Sequence, residues 1–251
     1  TIHRYFSWVA SVQFLPAVMA VNVAVIVGLL VLTLLFGRVY CSVICPMGVF
    51  QDLVSWISCK RKGKNLRFSY SKGKHWLRYG MLVLFIACMV AGIGAIVSIL
   101  APYSSYGRIV SNLLAPVYGS VNNVFAYFAE RADSYAFYEV DVHIKSIATF
   151  IVSVVTFVLV AVLAWRNGRT YCNTICPVGT VLGFFARFSL LKPYIDTTKC
   201  INCKKCSRTC KASCIDSENH KIDYSRCVAC MDCLESCSKG AIKYGRVKLV
   251  K

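Results

Sequence analysis

The chain has 251 residues, 57% of them apolar and 16% charged, with 15 Cys and a net charge of +18 from 29 basic and 11 acidic side chains. A disordered chain would be less apolar and a secreted disulfide scaffold far shorter, so the numbers leave an ordered protein of one or two domains. Positive mean hydropathy points to lipid rather than nucleic acid, and in a membrane protein Lys and Arg mark the cytoplasmic side.

Three stretches carry no charge and are long enough to cross a bilayer, which takes about 20 residues: Ala17 to Phe36, Tyr79 to Leu100, and Ile147 to Trp165. Their Val, Leu and Ile leave no polar face, which argues against buried helices of a soluble protein. Residues 37 to 78 carry nine bases and one acid, Asp52; residues 101 to 146 carry three bases and four acids; residues 166 to 251 carry sixteen bases and six acids. The first and last segments read as cytoplasmic and 101–146 as external. Ile109 to Ala129 is also uncharged, but Asn112, Pro116, Gly119, Asn122 and Asn123 interrupt it, which predicts helices at the outer interface or re-entering partway. The chain opens at Thr1 without Met, so a signal-like segment or a further transmembrane helix is expected ahead of it, with His3, Trp8 and Pro16 as an interfacial lead-in.

Two internal repeats carry the chemistry. Residues 37–48, GRVYCSVICPMG, match residues 168–179, GRTYCNTICPVG, with eight identities in twelve. Each copy places two thiols four apart and then a Pro suited to the first turn of a helix. Those helices are expected to be amphipathic, through Val49, Phe50, Leu53, Val54 and Trp56 in one copy and Val181, Leu182, Phe184, Phe185 and Phe188 in the other. Cys41, Cys45, Cys172 and Cys176 could converge about a pseudo-twofold axis as one metal or iron–sulfur site. Thiol–disulfide chemistry and simple packing remain alternatives.

The second repeat is tighter. Residues 195–215 align with 222–242, and each half holds C-x2-C-x2-C-x3-C: Cys200, Cys203, Cys206 and Cys210, then Cys227, Cys230, Cys233 and Cys237. Eight thiols so spaced point to two four-cysteine iron–sulfur clusters. Two zinc sites are the alternative, although zinc does not call for the third and fourth Cys so close behind. This half resembles bacterial two-cluster ferredoxins, and the resemblance implies crossed ligation. One cluster takes Cys200, Cys203, Cys206 and Cys237; the other takes Cys227, Cys230, Cys233 and Cys210. Lys211 and Ser238 stand where that family has Pro after the fourth Cys. Cys59, Cys88 and Cys214 read as packing residues. His75 and His143 flank spans and read as interfacial.

Spans ending in paired CxxxCP motifs and followed by such a module resemble the NapH/NosR-type membrane-bound polyferredoxin family. The fold expected is an α-helical membrane protein, three transmembrane helices plus interfacial helices, with a C-terminal α+β ferredoxin-like domain. Its parts are a membrane domain over 1–193 (repeats 37–56 and 168–189), a cytoplasmic two-cluster domain over 194–245 and a tail, 246–251. The resemblance implies a bacterial inner-membrane electron-transfer subunit with two 4Fe-4S clusters, and with a third cluster or metal at the CxxxCP pairs as a candidate. Electrons would pass between a cytoplasmic carrier or quinone pool and a membrane or periplasmic flavin, haem or iron–sulfur subunit. Twelve bases against six acids in residues 194–251 would attract an acidic carrier or anionic headgroups. The alternative is an assembly or maturation factor, such as a copper reductase for respiratory enzyme biogenesis. No nucleic-acid partner is expected.

Overall fold

The computed structural model describes residues 23–61, 68–131, 137–142 and 146–246. The lead-in before Val23, His143 and the last five residues lie outside them. Two compact units are present, one from residues up to Tyr103 together with those from Ala161 onward, the other over Ser104–Val160.

The first unit begins with α1 (Val23–Phe36), an apolar helix in which only Leu29 and Thr33 are buried. A π-helical turn, Tyr40–Ile44, leads into α2 (Pro46–Arg61). This helix is amphipathic in an inverted sense: Gln51, Ser55 and Ser58 are buried while Leu53 and Trp56 are 54% and 58% exposed. Such a helix suits an apolar surrounding. The uncharged stretch Tyr79 to Leu100 is not one helix. It divides into α3 (His75–Val90) and α4 (Gly94–Leu100). Gly92 sits between them at φ +72, a left-handed conformation that ends the first helix. Phe85 and Cys88 of α3 then pack on Val97 and Leu100 of α4.

The second unit holds α5 (Pro102–Ile109), a π-helical turn (Val110–Leu114), α6 (Ala115–Arg131) and most of α7 (Ile147–Asn167). The polar residues expected to interrupt the 109–129 stretch are accommodated without breaking the helix. Asn112 donates to Arg108 O and Ser153 Oγ, and Asn123 exchanges two hydrogen bonds with the Val140 backbone. Among the described residues α7 is the one helix long and apolar enough to cross a membrane. Its Ile151, Val155 and Leu159 stand about half exposed, a surface that water would disfavour.

Beyond α7 come α8 (Thr170–Thr174), α9 (Pro177–Ala186) and a small α+β module. In α9 Leu182 is fully buried, on the face opposite to that expected, because α9 packs on α1 and α3; Phe184 and Phe188 face outward. The module comprises β1 (Leu191–Ile195), α10 (Lys205–Thr209), β2 (Ile215–Asp216), β3 (Lys221–Ile222), α11 (Asp232–Glu235) and β4 (Ile242–Arg246). β1 pairs antiparallel with β4, and β2 with β3, so the first and last strands close the module. Its first strand begins at Leu191. Leu190 N–H donates to Leu34 O and the Tyr244 hydroxyl to Phe36 O, fixing the module to the end of α1.

Candidate functional site

The two copies of GRxYCxxICPxG fold alike. Gly37 and Gly168 turn the chain at φ +77 and +64, and Cys45 N–H bonds to Tyr40 O as Cys176 N–H does to Tyr171 O, at 2.9 and 3.0 Å. Both are i→i+5 bonds, a wide turn that carries the two thiols of each copy. The arginine of each copy reaches into the other. Arg38 donates to Cys172 O at 3.3 Å, and Arg169 donates to Cys41 O. The last glycine of each motif makes room: a Cβ at Gly48 would overlap Cys41 O and lie 2.8 Å from Arg169, and one at Gly179 would overlap Cys172 O and lie 2.8 Å from Arg38. Arginine, carbonyl and glycine therefore form one reciprocal brace, which explains why those residues recur at that spacing.

Inside the brace Cys41, Cys45, Cys172 and Cys176 are all at most 5% exposed. Arg38 Nη2 lies 3.8 Å from Cys41 Sγ, and Gln51 Nε2 donates to Cys172 Sγ at 3.1 Å. Burial pushes the Cys45 thiol up to about 12, and the sulfurs of Cys172 and Cys41 add to it. Cys176 is raised well above its ordinary value by burial, then by Cys172 and Cys45. The sulfurs of both repeats thus act on one another. Arg169 forms a two-pronged pair with Asp52, Nε to Oδ1 at 2.8 Å and Nη2 to Oδ2 at 2.6 Å. Arg38 is instead held by neutral groups, Asn173 Oδ1 and Ser225 O. So is buried Arg78, which donates to Ser225, Gly179 O and Thr180 O.

In the C-terminal module Cys200, Cys203, Cys206 and Cys237 line one cavity. A second is lined by Cys210, Cys227, Cys230 and Cys233, with Cys214. The module's eight cysteines are therefore distributed as three from one half-repeat and one from the other in each cavity. Lys211, where a Pro was the family pattern, donates from Nζ to Asp232 at 2.9 Å and lies 3.7 Å from Asp52, while its carbonyl accepts from Arg169 N–H. Among the described residues no three His, Cys, Asp or Glu side chains close to the spacing of a single metal ion. Each cavity offers four thiols, the donor set that a four-iron cluster takes.

Cys214 packs beside the second cavity. It is 1% exposed with its sulfur 3.5 Å from Cys210 Sγ. Its thiol hydrogen bond is the main cause lowering Cys210 to about 7, and contact with Cys210 and Cys227 raises Cys214 itself. Cys88 packs in the apolar cluster of α3 and α4, as expected. Sequence reasoning missed Arg38, Arg78 and Arg169, having assigned their charge to topology, and missed Gln51 and Ser225 altogether. Asp52, the lone acid in a segment with nine bases, was the visible signal.

Comparison with known proteins places this arrangement. The 4Fe-4S binding domain family matches residues 18–65 and 149–194, the two segments that carry the CxxxCP copies. The ferredoxin-type protein NapH of Haemophilus influenzae is 28% identical over 202 residues, 80% of this chain and 56% of that protein. The chain is a relative of the NapH-type ferredoxin proteins. The YccM protein of Escherichia coli, whose name assigns it to electron transport, is 25% identical over 203 residues, 78% of this chain and 47% of that one. An uncharacterized protein of Methanocaldococcus jannaschii, MJ0749, is 34% identical over 86 residues, 34% of each chain. The chain thus spans between about a third and somewhat over half the length of these relatives. No solved structure matches it.

Proposed function

We propose that the chain is a membrane-bound electron-transfer subunit carrying three iron–sulfur centres. Two 4Fe-4S clusters sit in the C-terminal module, one on Cys200, Cys203, Cys206 and Cys237 and one on Cys210, Cys227, Cys230 and Cys233. The third lies on Cys41, Cys45, Cys172 and Cys176. When bound, the clusters supply one-electron chemistry; the chain supplies spacing, burial and hydrogen bonds.

The observation that carries the third centre is charge. Arg38, Arg78 and Arg169 are each at most 2% exposed, and Asp52 is the carboxylate paired among them. Buried cations need compensation, and four thiolates held by a cluster provide it. Arg38 and Gln51 aim donors at two of the four sulfurs, those of Cys41 and Cys172.

Ser225 links the centres in space. Its carbonyl accepts from Arg38 at 3.1 Å and from Arg78 at 3.0 Å, two residues before Cys227. The cavity of Cys210 and Cys227 therefore adjoins the CxxxCP site. The cavity of Cys200 and Cys203 opens to solvent through exposed Cys203 and the lysines 199, 204, 205 and 239. Electrons exchange with a soluble acidic carrier at that face, on the cytoplasmic side, and with the membrane partner at the CxxxCP end.

Protein purified without oxygen should contain about twelve iron and twelve sulfide per chain, four per cluster. Cys45→Ser and Cys176→Ser should each abolish one and the same resonance signal while both ferredoxin signals persist. Separate losses, or none, would reject a shared third centre.

A further inference from the structure

A cavity next to the redox core belongs to none of the cysteine sites. Its basic lining comes from Lys72 and Lys74, just before α3, from Arg166, near the end of α7, and from Arg226; no carboxylate lines it among the described residues. Arg226 is paired with Asp223 at 2.8 Å, whereas Lys72, Lys74 and Arg166 make no ion pair among the described residues. The rest of the lining mixes apolar Leu77, Leu163 and Ile175 with polar Ser71, Asn167 and Thr170. The cavity therefore offers both cationic and hydrocarbon side chains. Trp76, 90% exposed, precedes Leu77, and Trp165 precedes Arg166. Tryptophans so placed are those found at a membrane–water boundary.

We infer that this cavity binds a phosphate-bearing group, and that the group is the headgroup of an anionic phospholipid with its chains along Leu77 and Leu163. Three unpaired cations select negative charge, and basic pockets beside the cytoplasmic ends of spanning helices hold such headgroups. The lipid source rests on reading α7 as a membrane span; the phosphate site does not rest on the iron–sulfur assignment, so the two fail separately.

The test titrates the full-length protein in mixed micelles with phosphatidylglycerol or phosphatidylcholine, read by tryptophan fluorescence. Phosphatidylglycerol should bind at least about tenfold more tightly, each cation being worth about a fivefold factor near a membrane surface. The Lys72→Gln/Lys74→Gln double variant should lose roughly 25-fold of that affinity, and Arg166→Gln, on the other wall, about fivefold, with cluster absorbance unchanged. Displacement of the lipid by inorganic phosphate would keep the site and assign it to a soluble phosphate ligand; failure of phosphate to compete assigns it to the lipid. Equal binding of the two lipids, or unaltered affinity in both variants with cluster absorbance retained, overturns the proposal.

Discussion

Arg169 has no contact with solvent, and its tolerance of burial depends on Asp52, itself 25% exposed. Removing one partner of such a pair strands the other. Asp52→Asn should therefore lower stability by about 3–5 kcal/mol, measured by thermal unfolding in detergent, and Arg169→Lys should not restore a two-pronged contact. The cysteines give a second prediction at this scale. A thiol must lose its proton to ligate iron, so where the empty site holds that proton tightly, apparent affinity rises with pH until the thiol pKa is passed. Cys45 is pushed up to about 12 by burial, whereas Cys210 is lowered to about 7 chiefly by the Cys214 hydrogen bond. Iron retention at the CxxxCP centre should keep improving from about pH 6 to 9, and so should retention by the Cys210, Cys227, Cys230 and Cys233 set, because burial pushes Cys230 up to about 12 and raises Cys233, even though the Cys210 thiol itself adds little further gain above about pH 7. Competition with an iron chelator across that range, read by resonance spectroscopy, checks the rise at each centre.

At the level of elements the twelve-residue motif is a mutual brace, and its glycines are where the brace is tightest. Gly48→Ala or Gly179→Ala should cost about 1–3 kcal/mol and erase the CxxxCP signal. Gly80→Ala, in the middle of α3 where a Cβ meets nothing within 4 Å, should instead stabilise by about 0.4–1 kcal/mol. Thermal unfolding of the variants checks both signs. The repeat and its cysteine spacings were legible because identical residues recur at fixed intervals. The pairing of Arg38 with Cys172 and of Arg169 with Cys41 was not, since it joins residues 134 and 128 positions apart. The break at Gly92 was missed for a different reason. Hydropathy registers only that 79–100 is apolar, and one glycine at positive φ is enough to fold such a stretch back on itself. Likewise α2 was legible as amphipathic, but which face lies inward depends on its neighbours, and there Gln51 and Ser58 took the interior.

On the scale of the whole molecule, the +18 charge divides between structural and surface roles. Arg38, Arg78 and Arg169 are internal, while four lysines line the Cys200 cavity together with Ile201, which is 61% exposed. A cationic surface suits an acidic partner, and steering by such a surface is screened by salt. Reduction by an acidic flavodoxin-type carrier should slow as salt rises from about 0.01 to 0.3 M, and Lys205→Glu with Lys239→Glu should slow it by about tenfold or more at low salt while leaving reduction by a small neutral dye unchanged. Stopped-flow absorbance measures both.

The reciprocal brace has one further consequence. A surface on which residue i meets residue j while j meets i is what a twofold homodimer presents, here drawn into a single chain. Neither copy of the motif can complete itself, because the carbonyl it must cap lies on the other. The two halves are thus obligate complements, and any cluster seated between them is inserted across what was, in geometric terms, a subunit boundary.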